Sequence, residues 1–179
     1  MTWLDTTLMQ WAAAHRFPLG DQLARAVMAV GTSPVVVAAA VFLGLSYVVV
    51  RRRYRLAAGV ALAVLGSTVL AEALKPVFGR ARPPASLALV HAEGWSMPSS
   101  VAAVTAACAA ALYVGLTWRD PRRRRLVGGV LVVGVAAIGL CLVYLGVHWP
   151  TDVLAGWALG VTIGAGAAAV RRPRRSRHT

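Results

Sequence analysis

Residues 144–152 read Tyr144-Leu145-Gly146-Val147-His148-Trp149-Pro150-Thr151-Asp152, a polar break between two apolar runs, 126–144 and 153–170, each of about the length that crosses a bilayer. Pro150 suits the first position of a helix, where its missing N–H costs nothing. Asp152 then falls in the first turn, with its carboxylate in reach of the imidazole of His148. A carboxylate on one ring nitrogen fixes the tautomer and leaves the other nitrogen free to attack, bind a metal or move a proton. Taken alone, a histidine near a helix start is more often a capping or hydrogen-bonded residue than a catalytic one.

The surrounding composition assigns the break to a membrane protein. The 179 residues are 58% apolar with a mean hydropathy of +0.66, above the ~45–50% apolar content of ordinary soluble domains. The net charge of +13 comes from short arginine blocks beside apolar runs of spanning length. These are topology signals and not a nucleic-acid surface, so no nucleic-acid partner is expected. Cys108 and Cys141 lie inside apolar runs without metal-ligand spacing and read as small buried hydrophobes. No metal site and no cofactor are expected. The N-terminus lacks the basic region and short apolar core of a cleavable signal.

The pattern predicts an all-α polytopic membrane helix bundle of about five transmembrane helices, preceded by N-terminal interfacial helices. Three divisions follow: interfacial amphipathic helices over 1–33, a transmembrane domain over 34–170 and a basic cytoplasmic tail over 171–179. Trp3, Leu4, Leu8 and Trp11 share one helical face with Asp5, Thr6 and Gln10 elsewhere, which suits a helix lying in the interface. A second amphipathic segment runs from Asp21 to Val30, and Ser33-Pro34 is a helix start. The five spans are 34–50, 57–74, 99–116, 126–144 and 153–170.

Arginine blocks at 51–55, 119–125 and 171–177 fall on one side of such a bundle and mark it as cytoplasmic. The expected placement is a multi-pass protein of the cell membrane, with the N-terminus outside and the C-terminus cytoplasmic. That topology gathers Lys75, Arg80, Arg82, Ser99, Ser100, His148 and Asp152 at the outer surface. Cations converging with serine hydroxyls and helix N-terminal N–H groups make an anion site, for which phosphate is the natural occupant. The plainer reading makes Lys75 an ion-pair partner of Glu72, and leaves Arg80 and Arg82 in a basic loop solvated at the headgroups.

Lys75-Pro-Val-Phe-Gly-Arg-Ala-Arg82-Pro83 resembles the K-x6-R-P motif of the type 2 phosphatidic acid phosphatases, the membrane branch of the PAP2 and haloperoxidase superfamily. Pro98-Ser99-Ser100-Val101 stands where that family has P-S-G-H. Cys141-Leu142, followed by His148 and Asp152, stands where it has S-R-x5-H-x3-D. The resemblance implies a nucleophilic His148 forming a phosphohistidine, with Asp152 holding the opposite ring nitrogen. It implies that Lys75, Arg82, the Ser99 hydroxyl and the Ser100 N–H bind the phosphoryl oxygens.

Four positions depart from the family pattern. Val101 replaces the histidine that protonates the leaving group, Leu142 replaces a phosphate-binding arginine, Ser100 replaces a glycine, which restricts backbone approach to phosphate where that position needs positive φ, and Cys141 replaces a serine as a near-isostere. Losing a general acid costs about 10²- to 10⁴-fold and losing one preformed donor about 10²- to 10³-fold. Three readings follow. One is a membrane lipid phosphatase or diphosphatase, acting on phospholipid or polyprenyl phosphates at the extracytoplasmic face with an impaired site. The alternative is a catalytically inactive pseudophosphatase that binds or translocates lipid phosphates. A purely structural bundle is a third. His91, in the loop before Pro98, offers a substitute acid.

Overall fold

A computed structural model describes residues 2–170, and the basic tail over 171–179 lies outside the described residues. The chain is an all-α membrane helix bundle. Its helices are α1 (Trp3–Ala14), α2 (Pro18–Thr32), α3 (Pro34–Arg51), α4 (Tyr54–Phe78), α5 (Ser100–Gly115), α6 (Pro121–Tyr144) and α7 (Pro150–Val170), with a 3₁₀ turn at Ala85–Leu87. Three of them, α4, α6 and α7, are long and apolar enough to cross a membrane. The apolar α5 is shorter, at 16 residues, and α3 has 18.

Local chemistry sets the helix ends. Thr2 and Asp5 form a capping box at α1, satisfying N–H groups that the first turn leaves without partners. Ser99 caps α5, Asp120 caps α6, and prolines begin α2, α6 and α7, where no N–H is needed. The second predicted span is extended at its far end. Lys75, expected at the start of the polar loop, lies on α4, which tolerates Pro76 and stops only at Gly79 in the left-handed conformation at φ +52°.

The bundle packs on small residues. Gly156, Gly160 and Gly164 recur every fourth position on α7, so they share one stripe, and that stripe faces the backbone of α5. A Cβ at Gly160 would run into the carbonyl of Ala103, and one at Gly164 into that of Ala107. Lipid tails give helices no hydrophobic reason to associate, so backbone approach through small residues supplies the packing. Ala107 and Ala111 of α5 also meet Ala63 of α4. This α4–α5–α7 core brings the loops 79–99 and 145–149 to one end, where the Leu89 N–H donates to the Leu145 carbonyl at 2.8 Å.

The N-terminal helix closes over that same end. Trp3, Leu4, Leu8 and Trp11 of α1 are exposed, while Asp5 and Met9 turn inward and are fully buried. Between α1 and α2, the Arg16 guanidinium donates to the Tyr144 and Leu87 carbonyls, both at 2.7 Å, tying the helix junction to both loops.

Candidate functional site

His148 lies in the five-residue turn between α6 and α7 and is 5% exposed. Trp149 anchors the turn: its ring is buried, and its indole N–H donates to the Ala81 carbonyl at 2.9 Å. The nearest acceptor for His148 Nδ1 is the Ser96 carbonyl at 2.9 Å. Asp152, expected to hold this nitrogen, has Oδ2 3.6 Å away, beyond a good hydrogen bond. Its oxygens are engaged elsewhere, Oδ2 by the Trp149 N–H at 2.8 Å and Oδ1 by Arg80 at 2.6 Å. The carboxylate therefore fixes the turn that carries the histidine and adds negative charge behind the ring, while a backbone carbonyl sets the ring's hydrogen bond.

On the opposite ring nitrogen, Arg82 Nη1 stands 3.4 Å from Nε2. One tautomer satisfies both contacts: Nδ1–H donates to Ser96, and Nε2 keeps its lone pair toward the guanidinium. Arg82 is oriented by the Val147 and Glu93 carbonyls, which accept from it at 2.8 and 2.9 Å. Burial lowers its pKa from the usual value, and the charges of Asp152 and Glu72 oppose that shift. A bare imidazole nitrogen beside a held cation is an arrangement that takes an anionic electrophile.

Arg80 does not join that anion site. Its guanidinium is a largely buried bridge, donating to Asp152 Oδ1, Asp5 Oδ2 and Thr151 Oγ1, each at 2.6 Å. Asp5 also accepts from the Thr151 N–H at 3.1 Å. Burial pushes the Asp5 pKa up, but hydrogen bonds from Arg80, Thr2 and Thr151 outweigh it and hold it at about 2, against an ordinary 3.8. Asp5, Ser96, Trp149 and Thr151 were not among the sequence candidates. A lone acid in an amphipathic helix hinted at Asp5, but a backbone acceptor such as the Ser96 carbonyl leaves no trace in side-chain identity.

Lys75 and Ser100 meet on Glu72. Its Oε1 accepts from Lys75 Nζ at 2.7 Å and from Ser100 Oγ at 2.8 Å, so the plainer reading of Lys75 describes its contact. Ser99 is buried at the start of α5, where its hydroxyl caps the helix and its N–H donates to the Asp152 carbonyl at 3.1 Å. Leu142 is 2% exposed and packs with Ala24, Ala102, Leu145, Val147 and Val153. With Val101 and Cys141 it borders an apolar groove against α2. His91 pairs with Glu93 at 3.1 Å, both exposed, and lines a cavity of about 330 Å³ shared with Arg82, Gly146 and Val147. Among the described residues no cluster of His, Cys, Asp and Glu side chains is arranged to hold a metal ion.

Fold and site together define a class: a membrane helix bundle with a buried, oriented histidine facing an arginine at one end. The chain belongs to the PAP2 superfamily, whose sequence profile matches residues 55–176. Among solved structures it is similar to a transmembrane PAP2-type phosphatidylglycerolphosphate phosphatase from Bacillus subtilis. That match has a TM-score of 0.83 at 23% identity, covering 98% of this chain and 88% of the other, and is a likeness of fold. It is also similar to Aquifex aeolicus LpxE, with a TM-score of 0.74 at 25% identity, covering 94% and 96%. A search among curated proteins finds no match.

Proposed function

We propose that the chain is a membrane lipid phosphatase with a strong preference for diphosphates, working through His148. The observation that carries this reading is the His148 ring, with Nδ1–H on the Ser96 carbonyl and Nε2 bare toward Arg82. In the proposed reaction Nε2 attacks phosphorus, an N–P bond forms, and the P–O bond to the leaving group breaks. Water then hydrolyses the phosphohistidine. Arg82 with Lys75, the Ser99 hydroxyl and the Ser100 N–H would hold the phosphoryl oxygens. Asp152 would stabilise the charged imidazole from behind.

The preference follows from Val101. An alcohol leaving phosphorus becomes a strong base and needs a proton, whereas a departing lipid phosphate is already a stable anion, its last proton having a pKa of about 6. With no acid at Val101, monoester hydrolysis loses much of the ~10²- to 10⁴-fold general-acid factor. Diphosphate cleavage loses far less, so polyprenyl or lipid diphosphates are the proposed substrates.

The second reading, a pseudophosphatase that binds or moves lipid phosphates, is favoured by Glu72. Its carboxylate engages Lys75 Nζ and the Ser100 hydroxyl together, so one proposed phosphate donor, Lys75, already holds an internal anion and a second lies beside it.

Phosphate release by purified protein from a lipid diphosphate and a lipid monophosphate tests the proposal. Val101→His is expected to raise monoester turnover by about 10²-fold and diphosphate turnover by much less. An equal gain on both would remove leaving-group protonation as the missing element. No release from either substrate, even in Val101→His combined with Leu142→Arg, would leave the binding reading standing.

The division of the chain into interfacial, five-span and tail segments and the extracytoplasmic placement of the site belong to the same proposal. They are supported by the arginine blocks at 51–55 and 119–125 lying at the end away from His148. In intact cells, an impermeant thiol reagent is expected to label a cysteine placed at Glu93 and spare one placed at Asp120. The reverse labelling would move the substrate to the cytoplasmic leaflet.

A further inference from the structure

At the end of the bundle away from His148, α6 stands off from α5 and α7 and leaves an apolar groove of about 720 Å³, within the ~300–1,000 Å³ typical of ligand sites. Its walls include Tyr113, Arg125, Gly129, Val132, Ala136 and Trp157. Arg125 and Ala136 are eleven residues apart on α6, or ~16 Å along the helix axis. That is about half of a ~30 Å hydrocarbon core. The groove is thus one leaflet deep, with a cation at headgroup level. Its deep end is closed because Gly139 has no side chain: the Trp157 ring fills the space that a Cβ there would need. The groove shares no lining residue with His148, Arg82 or their hydrogen-bond partners.

The arginines at the mouth are not equivalent. Arg124 is held by the Tyr113 hydroxyl at 2.9 Å and lies over its ring at 5.4 Å. Arg123 approaches Asp120 at 3.9 Å. Arg125, which lines the groove, has no ion-pair or hydrogen-bond partner among the described residues. An unpaired guanidinium above an apolar slot of leaflet depth matches a phospholipid with an anionic headgroup, since the phosphate takes charge-assisted hydrogen bonds while one acyl chain fills the slot. We infer that this groove binds one anionic phospholipid of the leaflet opposite the site, as a resident lipid distinct from any substrate.

Two substitutions probe the slot without touching the site. A Cβ added at Gly129 meets nothing within 4 Å, so Gly129→Leu grows into the groove. Val132→Trp, from a position 69% exposed, fills it from another wall. The full chain, stripped of lipid in a non-ionic detergent, is titrated with phosphatidylglycerol or with phosphatidylcholine of the same chains. Retained lipid is counted by native mass spectrometry and stability is followed by thermal unfolding.

The expected result is one phosphatidylglycerol per chain and a Tm rise of about 5 °C at saturation, with phosphatidylcholine giving neither. Arg125→Ala is expected to weaken retention about tenfold and Arg125→Lys to keep most of it. Gly129→Leu and Val132→Trp are expected to abolish retention. Equal retention of phosphatidylcholine, or retention unchanged in Arg125→Ala and in both filling variants, overturns the inference. So does efficient crosslinking between chains through a cysteine at 129, which would make the occupant a second copy.

Discussion

The two sides of His148 are built on opposite principles. Behind the ring, Asp5, Arg80, Ser96, Thr151 and Asp152 come from four separate stretches of chain and are joined by short hydrogen bonds, with both carboxylates fully buried. Toward the positions where the family pattern has a leaving-group acid and a second arginine, the structure offers Val101 and Leu142 against an apolar groove. The difference teaches that orienting a histidine and assisting a leaving group are separable tasks. The first rests on many contacts here, while at the positions of the second the chain presents only apolar side chains.

The sharpest way to break this contrast is Arg80→Ala. It leaves the Asp5 and Asp152 carboxylates buried and unpaired, which is expected to destabilise the protein by about 3–5 kcal/mol and lower Tm by about 10 °C or more. Val101→Ala, at a position 39% exposed, is expected to cost about 1 kcal/mol or less. Thermal unfolding of both variants in the same detergent checks this. Equal losses would mean that the polar side is no more a framework than the apolar one.

A smaller effect comes from pH. Asp5 holds a pKa of about 2 in the folded protein against 3.8 ordinarily. Its contribution is complete above about pH 5 and is lost as pH falls through 4 toward 2. The stability difference between wild type and Asp5→Asn should therefore shrink by about 1 kcal/mol between pH 6 and pH 3. A difference that grows on acidification would contradict the assignment of the Arg80 and Thr151 contacts to an ionised Asp5.

The smallest expected effect concerns the edge between the two sides. Glu72→Gln keeps the shape of the side chain but removes the charge that holds Lys75 and Ser100, so inorganic phosphate should bind about 3- to 10-fold more tightly, the equivalent of about 1 kcal/mol. Isothermal titration at low salt measures it. Weaker binding in Glu72→Gln would make the acid a positioning residue for Lys75 and not a competitor of phosphate.

Much of the architecture is legible in the chain because its signals are long: apolar runs near membrane thickness, arginine blocks at every second connection, and proline or serine at helix starts. The spacing of His148 and Asp152, with Arg82 before Pro83, likewise points to groups that come together. What escapes is set by backbone and by distance. Ser96 contributes a carbonyl, which any residue could supply. Asp5 meets partners far along the chain, so its local pattern marks an acid on a helix but not what it binds. The close approach of α5 and α7 was carried by Gly156, Gly160 and Gly164, a small-residue period that hydropathy does not register. The polar stretch rich in proline and arginine begins at Lys75 in the sequence, yet Lys75 and Pro76 both lie within α4.

The buried bridge from α1 also fixes an order of events. Asp5 is made early in synthesis, but Arg80 follows 75 residues later and Thr151 another stretch on, 146 residues from Asp5. Until α7 begins to emerge, the first helix has a carboxylate with no complete set of donors, and contacts of such long sequence separation form late. The His148 turn and α1 therefore mature together, only once Thr151 has emerged. A nascent chain arrested before Thr151 would hold a bundle without a lid, open to proteases at its first helix.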